Sequence, residues 1–183
     1  NHSQIQYYEW AFDENENSLI SNTTNSTSIS LSLSDGTYRF CVRAVDWALN
    51  RGDVMCTNNF TVDQTNPTLL VNSDNTGGWM NRSNVSVSWT VIDDCDSVTS
   101  SYRVLPHSTS WQPINSSGNA NLQNLVSGIH TVEFRVIDCA GNSVGYSFVS
   151  HIDTVDPVIS QFDANLNSAG WSNQANVQFN WNI

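Results

Sequence analysis

Four cysteines, a scatter of carboxylates, four histidines and seven Asn-x-Ser/Thr triplets are the residues of this chain whose types could do chemistry. Hydrolytic chemistry needs a nucleophile, a base and an oxyanion site brought together. His2, His107, His130 and His151 fall in unrelated segments, and no Gly-x-Ser-x-Gly, His-Glu-x-x-His or glycine-rich phosphate loop is present. The adjacent carboxylates of "DDCD" (93 to 96) read as a solvated turn, so no enzyme is expected. Zinc needs ligands clustered at short spacing, which the cysteines and histidines do not offer. Asp63 and Asp153, with Asp93, Asp94, Asp96 and Asp156 near them, read as turn and cap residues. Calcium held by these oxygens is the alternative, but no loop has the Asp-x-Asp-x-Asp-Gly spacing, so no metal is assigned.

Covalent modification is the chemistry that fits best. Cysteines in a chain of this composition point to an oxidising compartment and disulfides. Acceptors for N-linked glycans occur at Asn1, Asn22, Asn25, Asn59, Asn81, Asn84 and Asn115. A chain rich in Asn, Ser and Thr produces some such triplets by chance, but seven in a lysine-free chain favour glycans at several of them. Seventeen acidic residues against six arginines give a net charge of -11, which repels phosphate backbones and anionic lipid, so no nucleic-acid partner is expected. No run of about 18 apolar residues occurs, so no membrane span is expected in this segment.

The elements that must position these residues come from an internal repeat. "VRAVDWALN" (42 to 50) matches "FRVIDCAGN" (134 to 142), with Asp46 and Asp138 92 positions apart. "GWMNRSNVSVSW" (78 to 89) matches "GWSNQANVQFNW" (170 to 181) at the same spacing, and Pro67 precedes Pro157 by 90. Residues 65–154 hold one complete unit. Residues 155–183 hold only the first half of a unit and residues 1–64 only the second half; their 29 and 64 residues, together 93, match the complete unit's 90.

This predicts three segments: 1–64, the C-terminal part of a domain completed by 155–183 of the preceding repeat; 65–154, a complete domain; and 155–183, the first strands of the next. The first residues, "NHSQ", and an end inside the alternating "VQFNWNI" fit a processed product or a window of something longer. Two constructions satisfy the pattern. Either residue 183 runs on covalently into an equivalent of Asn1, or separate copies donate strands to one another head to tail. An arbitrary truncation is the third reading. Either of the first two gives an open, fibre-forming array of identical copies or covalent repeats.

Seven short strands are predicted in the complete unit, at 68–72, 84–93, 101–105, 110–114, 119–126, 130–138 and 145–152, separated by Gly, Asn, Ser and Asp turns. That pattern is an all-β sandwich. Val85, Val87, Trp89 and Val91 form one inward stripe facing Val132, Phe134 and Val136. Trp79 and Trp171 are expected to serve structural packing, with ligand stacking as the alternative, and Trp47 to fill the loop cap that Cys139 occupies in the sister unit.

"DGTYRFCVRAVDWALN" and "SGIHTVEFRVIDCAGN" resemble the penultimate strand of tandem bacterial and archaeal immunoglobulin-like and fibronectin-type-III-like domains, and "DQTNP" and "DTVDP" are similar to the linkers joining them. The resemblance implies tandem Ig-like sandwiches in an extracellular or cell-surface stalk, adhesin or filament. Tyr38 fits the tyrosine-corner position, where the other unit has His130, so that hydrogen bond is either absent or remade there. In this topology Cys41 and Cys56 face each other across a hairpin, and Cys95 and Cys139 lie at one pole, predicting those two disulfides. A bulge near residues 57–59 is then needed, because alternation back from Phe60 turns Cys56 inward. The function expected is a structural repeat of a glycosylated extracellular filament or stalk, with no cofactor. The alternative is an adhesin or carbohydrate-binding array using Tyr7, Trp10, Trp47 and Trp111 to stack sugars.

Overall fold

The alternation predicts strands, and strands are what form. The structure is a computed structural model that describes residues 4–12, 22–75, 77–95 and 97–183. Sixteen strands and no helix occur among the described residues, so the chain is all-β. It divides into two compact units: Asn1–Leu69 with Val91–Ser100 and Arg135–Gly145, and Leu70–Thr90 with Ser101–Phe134 and Tyr146–Ile183.

The first unit is built on β1 (Ile5–Phe12), β2 (Asn22–Thr24), β3 (Gly36–Tyr38), β4 (Phe40–Asp46), β5 (Met55–Cys56) and β6 (Phe60–Val62). One sheet runs in the order β2-β1-β4-β5, while β3 and β6 pair separately. In the β1/β4 ladder Glu9 lies opposite Arg43, Trp10 opposite Val42 and Ala11 opposite Cys41. Glu9, Ala11, Cys41 and Val45 are buried on one face. Tyr8, Trp10, Phe12, Phe40 and Val42 share the other and are only half-buried. Cys41 pairs in register with Cys56. The strand then breaks at residues 57–59, where Thr57 N–H donates to Phe40 O (2.9 Å). Beyond the break, β6 pairs with β3 instead of β4, so the expected bulge is a full change of sheet.

Eight strands follow: β7 (Thr68–Ser73), β8 (Trp79–Met80), β9 (Val85–Ile92), β10 (Thr99–Leu105), β11 (Gln112–Ile114), β12 (Ser117–Leu122), β13 (Gly128–Ile137) and β14 (Ser143–Ile152). They make one sheet of order β12-β9-β7 and another of order β11-β10-β13-β14-β8. Val85, Val87 and Trp89 project inward from β9, and Val132 and Phe134 from β13, all buried. Each such side chain contributes roughly 1.5–3 kcal/mol on burial. Trp89 packs against Phe134 (5.9 Å between ring centroids) and Tyr102 (6.4 Å), and its indole N–H donates to Asn115 O at 2.9 Å. Gly118 gives the indole room, since a Cβ there would lie 3.0 Å from it and the ring would have to shift by a few tenths of an ångström.

All seven strands predicted for residues 65–154 are present, and β8 is an addition that alternation over two residues could not reveal. It lies parallel to β14 at the edge of its sheet, with Trp79 opposite His151. There the Trp79 ring packs on His151 (5.1 Å) at the sheet edge and remains exposed. Trp171 and Trp47 are also exposed. The last two strands, β15 (Gln161–Ala164) and β16 (Phe179–Asn182), pair only with each other, setting Phe162 opposite Trp181.

Candidate functional site

Asp46 and Asp138 each build the hairpin loop that follows them. Asp138 Oδ1 accepts from the backbone N–H groups of Ala140, Gly141 and Asn142 (2.9, 2.7 and 2.8 Å), and Oδ2 accepts from Asn142 Nδ2 (2.9 Å). Asp46 Oδ1 accepts from Ala48 N and Asn50 N (2.9 and 2.8 Å), and Oδ2 from Asn50 Nδ2 (2.9 Å). A short carboxylate that collects loop donors explains why Asp begins this motif and Asn ends it. Burial works to raise the Asp138 pKa, but donation from the Asn142 side chain and from three backbone N–H groups outweighs it, and the pKa is lowered.

Asp63, Asp93 and Asp138 each bring a carboxylate oxygen within 4.8 Å of the others, the one such acidic group among the described residues. The sequence pointed to Asp63 and Asp93 as carboxylates able to approach a cation. It missed Asp138, whose motif reads as a turn. Asp94, Asp153 and Asp156 fall outside the group, and Asp96 lies outside the described residues. A divalent cation needs free oxygen lone pairs. Here Asp138 is committed to four donors, Asp63 Oδ1 accepts from Thr65 N (2.9 Å) and Asp93 Oδ2 from Cys95 N (3.3 Å). The cluster is therefore built chiefly as loop structure. Asp93 bears its cost: burial, then the charges of Asp138, Asp94 and Asp63, raise its pKa against the opposing hydrogen bond from Cys95.

Two disulfides, Cys41–Cys56 and Cys95–Cys139, close loops of 15 and 44 residues. Of the glycan acceptors, Asn22, Asn25, Asn59, Asn81 and Asn115 are exposed. Asn84 is half-buried, with its Nδ2 donating to Asn121 Oδ1 (3.3 Å), and Asn1, like His2, lies outside the described residues. His107 is exposed, His151 half-buried beside Trp79, and His130 buried. The His130 ring takes the part of a corner tyrosine: its Nε2 meets Val126 O at 2.8 Å, as Tyr38 Oη donates to Ser34 O at 2.9 Å. The corner bond is thus remade with an imidazole.

The first unit holds a cavity of about 480 Å³ lined by Tyr8, Trp10, Ile29, Phe40 and Val42 together with hydroxyl side chains of residues 24–28. Trp10 stacks on Phe40 (5.8 Å), and Phe40 meets Phe12 (5.7 Å), so the floor is a row of rings. The Trp10 Nε1–H is buried with no acceptor among the described residues. Of the rings proposed for sugar stacking, Tyr7, Trp10 and Trp111 are half-buried and only Trp47 is exposed. Trp111 is covered by the guanidinium of Arg103, 4.6 Å from its ring centroid.

No protein-family model matches the chain. No curated protein matches it either. Among solved structures, the chain is similar to the fibronectin(III)-like modules of Clostridium thermocellum CbhA, at 14% identity and a TM-score of 0.41, over 83% of this chain and 80% of that one.

Proposed function

We propose that this chain is a structural repeat of an extracellular, glycosylated filament or cell-surface stalk, which polymerises head to tail through Ig-like sandwiches. The observation that carries the reading is a difference in burial between two copies of one sequence motif. Val85, Val87 and Trp89 are 0%, 3% and 7% exposed, whereas Val177, Phe179 and Trp181, each 92 positions later, are 39%, 54% and 61% exposed. In this reading, residues that form a core in one repeat and lie bare in the other are covered by strands that a neighbouring copy supplies. Covalent repeats and separate strand-donating copies both meet that need.

Two disulfides fit an oxidising compartment, and the exposed acceptor asparagines suit glycans that keep sheet faces from associating sideways. The first unit, with its half-buried ring face, and the β15/β16 pair act as complementary ends, and no catalytic step is needed. The test is the mass of native material under reducing, denaturing conditions. A ladder or one very large species supports covalent repeats, and a discrete band near the 20.3 kDa of the chain plus glycans supports separate copies. Filaments under the electron microscope are expected in both cases, and a dispersed monomeric glycoprotein in native material overturns the reading.

The exposed indole of Trp47 favours one second reading, an adhesin that stacks sugars on open rings. Saturation-transfer NMR with simple sugars tests it, through contact signals lost on Trp47→Ala.

A further inference from the structure

We infer that the β15/β16 hairpin of a second copy of this chain seats on the open β1/β4 face, with Trp181 entering the cavity between Trp10 and Val42. This rests on the head-to-tail reading and specifies its contact. The finished sandwich supplies the template. There the three-stranded sheet β12-β9-β7 covers the five-stranded one, with β9 in the middle carrying Trp89. Moved by the 92-residue period, residues 85–91 of β9 become 177–183, which include β16, and β7 becomes residues 160–165, which include β15. The third strand, β12, moves to residues 25–30. That stretch is exposed and belongs to no strand, as expected of a strand whose partner is on another molecule.

The same shift assigns the contacts. Tyr102 and Phe134, which hold Trp89, become Trp10 and Val42, and Val132 becomes Phe40. All three line the cavity. The β12/β9 register, with Gly118 opposite Trp89 and Ala120 opposite Val87, sets Ser26 opposite Trp181 and Ser28 opposite Phe179. Ser26 and Ser28 also line the cavity. Seating two such rings buries roughly 150–250 Å² each, and strand pairing along residues 25–30 adds main-chain hydrogen bonds. No charged side chain among the described residues lines the cavity, so the contact is chiefly apolar. Salt then strengthens it by screening the mutual repulsion of chains that each carry -11.

The test is sedimentation velocity on the full 183-residue chain over a dilution series, beside Phe179→Ser/Trp181→Ser. Both replaced rings are exposed within their own chain, so folding is retained. Linear multimers that grow with concentration are expected for the native sequence, with association at least about tenfold weaker in the variant. A Thr27→Cys/Asn180→Cys variant reports the occupant: a reducible ladder on gels supports a second copy, whereas a cross-link confined to monomers means that the chain's own hairpin fills the face and overturns the inference. Multimers indifferent to Phe179 and Trp181 overturn this contact while leaving the filament reading intact. A chain that stays monomeric at every concentration overturns the contact too, and the mass of native material then decides the filament reading separately.

Discussion

Leu49 occupies in one hairpin loop the left-handed backbone position that Gly141 occupies in the other, at φ 67° against 97°. The loops are otherwise alike, each closed by an aspartate and an asparagine. An L-residue with a Cβ meets its own carbonyl oxygen in that region, at a cost of roughly 1–2 kcal/mol. Leu49→Gly is therefore expected to stabilise the fold by about 1 kcal/mol after the extra freedom of glycine in the unfolded chain is counted. Chemical denaturation checks it, with Gly141→Leu moving the midpoint the other way.

Tyr38 and His130 anchor equivalent corners through bonds to Ser34 O and Val126 O, and Tyr38 Oη also meets Ser34 Oγ at 3.2 Å. Tyr38→Phe keeps the ring packing against Phe12 and Phe60 and deletes only the hydroxyl. The expected loss is about 1 kcal/mol, read as a lower thermal midpoint.

Glu9 is buried between Arg43 (2.6 Å) and the outer guanidinium of Arg51 (3.3 Å). Burial raises its pKa, but the two arginines together override it, so the net shift is downward. A lowered carboxyl pKa contributes stability that is present above the ordinary glutamate value and is lost as pH falls through the lowered one. Stability should therefore decline from about pH 5 downward. Glu9→Gln should flatten that part of the profile and cost about 3 kcal/mol at neutral pH, the low end for breaking a buried pair, because Arg43 and Arg51 are partly exposed.

Asp93 has the opposite sign. Its raised pKa means that its contribution is most favourable when it is protonated and is lost as pH rises through the raised value. Asp93→Asn is expected to raise stability at pH 7 by removing repulsion from Asp138, Asp94 and Asp63. Because the Asp138 oxygens are already committed, dialysis against a chelator should leave the unfolding midpoint of the native sequence where it was. A midpoint lowered by chelator and restored by calcium would show a cation neutralising the cluster.

The two disulfides should differ in strength with loop length. Loop-closure entropy assigns about 3 kcal/mol to Cys41–Cys56 and about 4 kcal/mol to Cys95–Cys139. Replacing Cys95 and Cys139 together by alanine should lower the denaturation midpoint more than replacing Cys41 and Cys56.

Alternation along Val85, Val87 and Trp89 was enough to place β9, its buried face and its partners on β13, because a strand's two faces are set by a period of two. The repeat likewise made the Asp46 and Asp138 loops legible, since every donor they need lies within four residues. Other features have causes far along the chain. Exposure of Trp79 follows from β8 joining the edge of a sheet beside β14, some seventy residues away. The break at 57–59 follows from β4 and β3 competing for one segment. Asp138 meets Asp63 and Asp93 only because three separate loops converge. Which residues alternate, turn and repeat can be read from their order along the chain, because those preferences are local. That Trp89 is covered and Trp181 bare emerges from the assembled sheets, because burial depends on which strand lies across from a residue, and no local pattern records that.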